Sequence, residues 1–284
     1  MRIVVAGSGG QLGQVLRPAL SQHTIVGLTH ADLDVASEDA VRAALAAHAP
    51  DLVINAAAWT DVDGAESDPD GAFRANALGP ENLARATAER GIPLLHVSTD
   101  YVFGGEGSRP LDEDAPVAPR SVYGRSKLAG EEAVRAHQPR HFIVRTAWLY
   151  AATGRNFPNT LLGLASRPEV RVVDDQHGSP TWAPHLAEAL ARLVATERWG
   201  TWHLAGRGGT TWYGFARALL SAAGIGTPVV PVGTEEFPRP APRPAYAVLT
   251  TRHDPPILLP PWEDGVAAWA ALQGARSSAS NPSR

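Results

Sequence analysis

The glycines at positions 7, 9, 10 and 13 limit what this chain can become more than any other feature of it. Arg2 to Ala6 is short, apolar and β-branched, so it reads as a buried strand. It runs directly into Gly7-Ser8-Gly9-Gly10-Gln11-Leu12-Gly13, and Gln11 to Leu20 then carries helical spacing. Strand, glycine turn and helix start in that order form a cradle for a pyrophosphate. Glycine permits the tight turn and close backbone approach, while the free N–H groups and positive end of the helix face the phosphates. Gly7, Gly10, Gln11, Leu12 and Gly13 are the candidate cradle.

The same rhythm continues. Thr24 to Leu28 is a second strand, a helix over Ser37 to His48 precedes a strand at Leu52 to Asn55, and a helix around Pro69 to Arg90 precedes one at Pro93 to Ser98. Ser121 to Ala136 reads as helix, Phe142 to Thr146 as buried strand, and Val170 to Val173 and Thr201 to Leu204 as shorter strands. Strands alternating with helices predict an α/β fold, a doubly wound parallel Rossmann-like sheet with a smaller C-terminal substrate-binding lobe. The expected division is a dinucleotide-binding domain over 1–150, with sheet contributions from about 170–205, and a lobe from 151–170 and 206–271. From about Gly206 the chain turns rich in Gly, Trp and Pro, as connections in an irregular lobe are. Residues 272–284 end in small polar side chains and are predicted to form a disordered tail.

Composition excludes several functions. A net charge of -4 and a pI near 6.2 provide no broad positive field, so neither nucleic acid nor a membrane surface is expected as partner. No cysteine is present, which removes disulfides, thiolate catalysis and cysteine-ligated zinc. Only Ile3 to Ala6 follows Met1-Arg2 before glycine intervenes, and no apolar run approaches membrane-spanning length, so a cytoplasmic protein is expected.

Chemistry gathers at the strand ends. The acid that would grip a ribose 2′-hydroxyl is missing after the second strand, where Thr29 and His30 stand, so NADPH is admitted and NADH is used as well. Asp34 with Val35 is a candidate for holding the adenine edge, or an acid preceding a helix cap. Asn55-Ala56-Ala57-Ala58 places small side chains where a cofactor passes close to the backbone. Ser98-Thr99-Asp100-Tyr101 ends the next strand, and Tyr123 and Lys127 lie four residues apart on one helical face. Ketone reduction needs a proton for the developing alkoxide. A tyrosine with a pKa of about 10 supplies it well only when a cation such as Lys127 stabilises its phenolate. Thr99 can hydrogen-bond the carbonyl oxygen.

These blocks, with Val53-Ile54-Asn55-Ala56-Ala57-Ala58-Trp59-Thr60-Asp61-Val62-Asp63, Arg145-Thr146-Ala147-Trp148, Asn156-Phe157, Asp175-Gln176-His177-Gly178-Ser179-Pro180-Thr181 and Arg243-Pro244, resemble the dTDP-4-dehydrorhamnose reductase family. The resemblance covers about residues 1–270. It implies reduction of the C4 ketone of a dTDP-4-dehydro-6-deoxy-hexose, with Thr99, Tyr123 and Lys127 as catalytic set. It implies that Gly10 to Leu12, Asp34, Val35 and Ala58, Trp59 and Thr60 line the cofactor; Ala57, Tyr123 and Lys127 are expected to join them, the lysine at the nicotinamide ribose. Thr99, Asp100, Trp148 and Asn156 are expected to meet the sugar nucleotide, and Arg243, between two prolines, its diphosphate. Some relatives hold magnesium at a dimer interface through a glutamate where this chain has Gln14-Val15, so no metal is expected; a homodimer stays open. Two alternatives accompany this reading: a 4-ketoreductase for another dTDP-deoxysugar, and a non-catalytic subunit similar to the regulatory β subunit of methionine adenosyltransferase.

Overall fold

The computed structural model describes residues 1–279. Six parallel strands form the main sheet: β1 (Arg2–Ala6), β2 (Thr24–Leu28), β3 (Leu52–Asn55), β4 (Leu94–Thr99), β5 (His141–Thr146) and β6 (Gly200–His203). Their spatial order is β6-β5-β4-β3-β1-β2. The order reverses between β1 and β3, which opens a crevice beyond their carboxyl ends.

Alternation along each strand builds two cores. Ile3 and Val5 of β1 join Leu52, Ile54, Leu95 and Val144 on one face. Val4 and Ala6 join Val53, Leu94 and Ile143 on the other, as the two-residue period of a strand requires. Helix α1 (Gln11–Ala19) covers the first face; α2 (Glu38–His48), α3 (Gly79–Ala88) and α4 (Val122–His137) cover the second. Ser37 and Ser121 cap α2 and α4, each accepting a backbone N–H three residues on. The expected helix over Pro69 to Arg90 runs as Pro69–Phe73, a π-turn at Arg74–Leu78, and α3.

A short helix spans Val62–Ser67, and further helices are α5 (Phe157–Leu164), α6 (Ala183–Val194), α7 (Trp212–Ala222) and α8 (Trp262–Ala279). A third core of Tyr150, Leu161, Trp182, Phe215, Leu219 and Trp269 lies in the lobe. Two expectations need correction. Val170–Val173 does not extend the main sheet but pairs in parallel with Val229–Val232 in the lobe, because Val170 and Val172 bury against that aromatic core. The expected tail begins instead as helix, since α8 runs to Ala279. Ala, Leu, Gln and Arg favour helix whether or not a core is present. The rest of the expected tail, 280–284, lies outside the described residues. No helix of the described residues is long and apolar enough to cross a membrane.

Candidate active site

The crevice is shaped by what glycine omits. Gly7 has φ +78°, and a Cβ there would lie 2.5 Å from the amide nitrogen of Ala57; at Gly13 it would lie 2.4 Å from the Gly7 carbonyl oxygen. The ends of β1 and β3 therefore meet backbone to backbone, as a pyrophosphate cradle demands. A cleft of about 590 Å³ runs from Gly7 and Gly10 past Ala57, Ala58 and Trp59 to Asp34 and Val35. The dimensions and the glycine cradle fit a dinucleotide.

Not every predicted cofactor residue offers its side chain. Leu12 is 5% exposed and belongs to the core beneath α1. Gln11 turns toward the lobe, where its Oε1 accepts from Ala151 N (3.1 Å) and Asn156 Nδ2 (2.8 Å). Both, with Gly13, lie in the first turn of α1, where backbone N–H groups have no intrahelical acceptor. Thr60 is exposed and outside the cleft lining. Asp34 accepts from Ala36 N (2.9 Å) and from Arg74 Nη2 (2.6 Å). Arg74 is the cation that lines the cleft near Asp34; it escaped sequence reading because forty residues separate it from its partner.

At the end of β4, Thr99 and Thr146 stand in register. The Thr99 hydroxyl donates to Asp100 Oδ1 (2.9 Å) and faces the hydroxyl of Tyr123. Burial pushes the Tyr123 phenol up to about 12, with Thr99 pulling against it and Asp100 adding to it. Burial also lifts Asp100 to about 7, and its Oδ2 is buried without a hydrogen-bond partner. Lys127 is 2% exposed, and burial lowers its ammonium to about 8. Here the structure corrects one expectation: Lys127 does not lower the Tyr123 pKa. Its Nζ donates to the Val97 carbonyl (2.7 Å) and sits 3.4 Å from His96 Nε2, so a shared helical face does not put charge beside the phenol.

Beyond Asp100 lies a narrow pocket walled by Tyr101, Trp148, Gln176, Trp212 and Arg243. Trp148 adopts φ +45°, strained for a tryptophan. It is held by stacking on Trp212 (3.6 Å between centroids, 9°) and by Gly178, where a Cβ would lie 2.3 Å from its ring. The Arg243 guanidinium is already paired: Nη2 donates to Asp63 Oδ2 (2.9 Å) and Nη1 to Oδ1 (2.5 Å). That pairing holds the Asp63 carboxyl below its usual range. Asn156 has partners within the protein. Its Oδ1 caps α5 by accepting from Asn159 N (3.0 Å), and its Nδ2 donates to Gln11 and to the Ala151 carbonyl (2.9 Å). With its N–H groups committed it ties the glycine loop to the lobe, and the second lone pair of Oδ1 is what remains for a sugar hydroxyl.

Sequence reasoning missed the residues that hold α4. Asn76, in the π-turn, accepts from Trp59 N (2.9 Å) and donates to Trp59 O and to Ser126 Oγ (3.0 Å each). It thereby joins the cofactor cleft to α4 between Tyr123 and Lys127. Glu131, fully buried, accepts from Ser98 Oγ (2.6 Å) and from Arg145 Nε (2.9 Å) and Nη2 (2.8 Å), tying α4 to β4 and β5. No sequence signal marks Asn76; the π-turn of the fold is what singles it out. Among the described residues, no group of three or more His, Asp or Glu side chains is placed to hold a metal ion.

Known proteins share this arrangement. The dTDP-4-dehydrorhamnose reductase of Streptomyces griseus is 45% identical over 258 residues, spanning 87% of this chain and 85% of that one. A probable dTDP-4,6-dihydroxy-2-methyloxan-3-one 4-ketoreductase of Streptomyces antibioticus is 44% identical over 259 residues, spanning 88% and 86%. The crystal structure of dTDP-4-dehydrorhamnose reductase from Bacillus anthracis str. Ames in complex with NADP superposes with a TM-score of 0.93 at 36% identity, covering 95% of this chain and 99% of that one. The model of the RmlD substrate binding domain matches residues 1–273. A likeness that runs through both the glycine-loop sheet and the tryptophan-walled lobe leaves one assignment: the chain belongs to the dTDP-4-dehydrorhamnose reductase family.

Proposed function

We propose that this chain is an NADPH-dependent oxidoreductase that reduces the C4 ketone of dTDP-4-dehydro-L-rhamnose to give dTDP-L-rhamnose. The observation that carries the reading is the buried set of Thr99 at the end of β4 with Tyr123 and Lys127 on α4, between the dinucleotide cleft and the Trp148 pocket. When bound, the nicotinamide supplies the two electrons and the hydrogen that C4 of the sugar receives. Tyr123, neutral across the physiological range because burial holds its proton, delivers that proton to the C4 oxygen. The Thr99 hydroxyl steadies charge on that oxygen, and Lys127, once drawn from the Val97 carbonyl to the nicotinamide ribose, answers the phenolate left on Tyr123.

Around this centre the lobe orients the sugar nucleotide. Asp100 offers its unpartnered Oδ2 to a sugar hydroxyl, and the clamped Trp148 ring gives the hexose a flat wall. Arg243 takes the diphosphate, sharing its guanidinium with Asp63. The cofactor is held by Gly7, Gly10 and Gly13, by the N–H groups of Gln11 and Leu12, by Ala57 to Thr60, and by Asp34 and Val35 on the adenosine side. NADH is accepted too. The enzyme works in the cytoplasm, as a monomer or a homodimer.

The relative from Streptomyces antibioticus supports a second reading, reduction of another dTDP-4-keto deoxysugar. Loss or inversion of one hydroxyl changes only polar contacts in the pocket, and a few side chains decide it. The complete catalytic set weighs against a non-catalytic subunit. Incubation with NADPH and each candidate sugar nucleotide, with NMR of the product, separates the two: rapid conversion of dTDP-4-dehydro-L-rhamnose is expected. Turnover of only the other sugar would replace the first reading by the second.

A further inference from the structure

The partner of Lys127 in the interior is a histidine whose tautomer the surrounding backbone dictates. Asn55 Oδ1 accepts from the Ala57 amide (3.1 Å), so its Nδ2, a donor only, faces His96 Nδ1 at 3.1 Å. His96 Nδ1 must then carry the lone pair. In the neutral ring the proton sits on Nε2, which points at Lys127 Nζ across 3.4 Å. His96 is fully buried and burial holds its pKa well below the usual value, so the ring is neutral. An N–H facing an ammonium is two donors without an acceptor; an N–H facing a neutral amine is a hydrogen bond.

The other groups around the pair do not relieve this conflict. On α4, Glu131 one turn beyond Lys127 favours the ammonium, but its oxygens are spent on Ser98, Arg145 and Arg135. Tyr123 lies one turn before, Arg135 acts against charge on His96, and β4 contributes only the Val97 carbonyl, which accepts from amine or ammonium alike. Just beyond the end of β4, Asp100 lines the sugar pocket.

We propose that His96 is a positioning residue that disfavours the ammonium of Lys127 and keeps Nζ turned from Tyr123 until the dinucleotide enters, so that at alkaline pH cofactor binding draws one proton onto Lys127. The inference rests on the reading above, in which Lys127 serves the cofactor ribose and the phenolate. The ribose hydroxyl oxygens accept hydrogen bonds, which is what His96 withholds. The proton comes from solvent, and no covalent bond between heavy atoms changes.

Calorimetric titration of the full chain with NADP⁺ in buffers of different ionisation enthalpy counts that proton. Because burial sets the free-enzyme value at about 8, uptake should be small near pH 7 and approach one proton per site near pH 9. His96→Gln puts a carbonyl oxygen within reach of Nζ, lets the ammonium form beforehand, and should abolish the uptake near pH 9. Nitrogen-15 NMR of the wild-type imidazole needs no variant and should find Nδ1 bare and Nε2 protonated. NADP⁺ binding without proton uptake near pH 9, uptake unchanged in His96→Gln, or an Nδ1–H tautomer would each overturn the proposal. Failure of NADP⁺ to bind at all would instead remove the functional reading, and this inference with it.

Discussion

Replacing Tyr123 with phenylalanine removes one oxygen and leaves almost everything else in place. The ring is 8% exposed, packs with Ala65, Ala72 and Val122, and meets Tyr101 edge-on at 5.4 Å between centroids; phenylalanine keeps all of these contacts. The lost hydroxyl leaves Thr99 still donating to Asp100, so the fold should lose no more than about 1 kcal/mol, the net worth of one hydrogen bond. Catalysis is different. Loss of a positioned general acid costs about 10²- to 10⁴-fold in rate, or roughly 3–5 kcal/mol of barrier. Steady-state turnover at saturating NADPH and sugar nucleotide should fall by that factor, with melting temperature and the Kd for NADPH unchanged. A variant that turns over at the wild-type rate would refute the assignment. So would one that loses activity together with cofactor binding, since the ring would then be holding the cleft rather than giving a proton.

Arg243→Ala should raise KM for the sugar nucleotide about 10- to 100-fold, the worth of a charge-assisted hydrogen bond of 1.5–3 kcal/mol, while the Kd for NADPH stays constant; unchanged dTDP binding in a titration would make the arginine purely a partner of Asp63. Gly178→Ala forces a Cβ to within 2.3 Å of the Trp148 ring. It should push that indole off Trp212 and raise KM without touching cofactor affinity, and an unaltered KM would show that Trp148 does not meet the sugar. Asp100, lifted to about 7 from an ordinary 3.8, keeps in the folded state a proton that the unfolded chain has released. Its contribution to stability is therefore complete below about pH 4 and lost as pH rises to about 7. Between pH 5 and 8 wild type should lose on the order of 2–3 kcal/mol relative to Asp100→Asn. Parallel melting curves for the two proteins across that range would contradict a neutral, buried Asp100.

The α/β sheet was legible because its signals are local. The β-branched run ending at Ala6, the glycines after it and the helical spacing from Gln11 each occupy a few consecutive residues, and together they place the cleft. The placement of the proposed catalytic set was legible for the same reason: Tyr123 and Lys127 are one helical turn apart, and Thr99 ends a strand. What stayed hidden depends on contacts across long separations. Arg74 reaches Asp34, Arg243 reaches Asp63 across 180 residues, and Asn156 is drawn to Gln11 across 145; no periodicity encodes such pairs. Val170–Val173 has the composition of a sheet strand, and only the aromatic core of the lobe decides which sheet receives it. The helix Ala183–Val194, not singled out beforehand, completes the layer over α1. Lys127 shows the limit most directly: helical spacing puts it on the face of Tyr123, yet a carbonyl and an imidazole of the neighbouring strand set where its nitrogen points.

The central claim is that this site carries hydrogen from NADPH to C4 of a dTDP-linked 6-deoxy-4-ketohexose. NADPH deuterated at nicotinamide C4 tests it most directly, with dTDP-4-dehydro-L-rhamnose as acceptor and NMR of the isolated product. The account predicts dTDP-L-rhamnose with one deuterium at sugar C4, formed in step with cofactor oxidation and absent with Tyr123→Phe on the same time scale. Cofactor oxidation without deuterium in the sugar, or a labelled product whose formation ignores the loss of the Tyr123 hydroxyl, would contradict it.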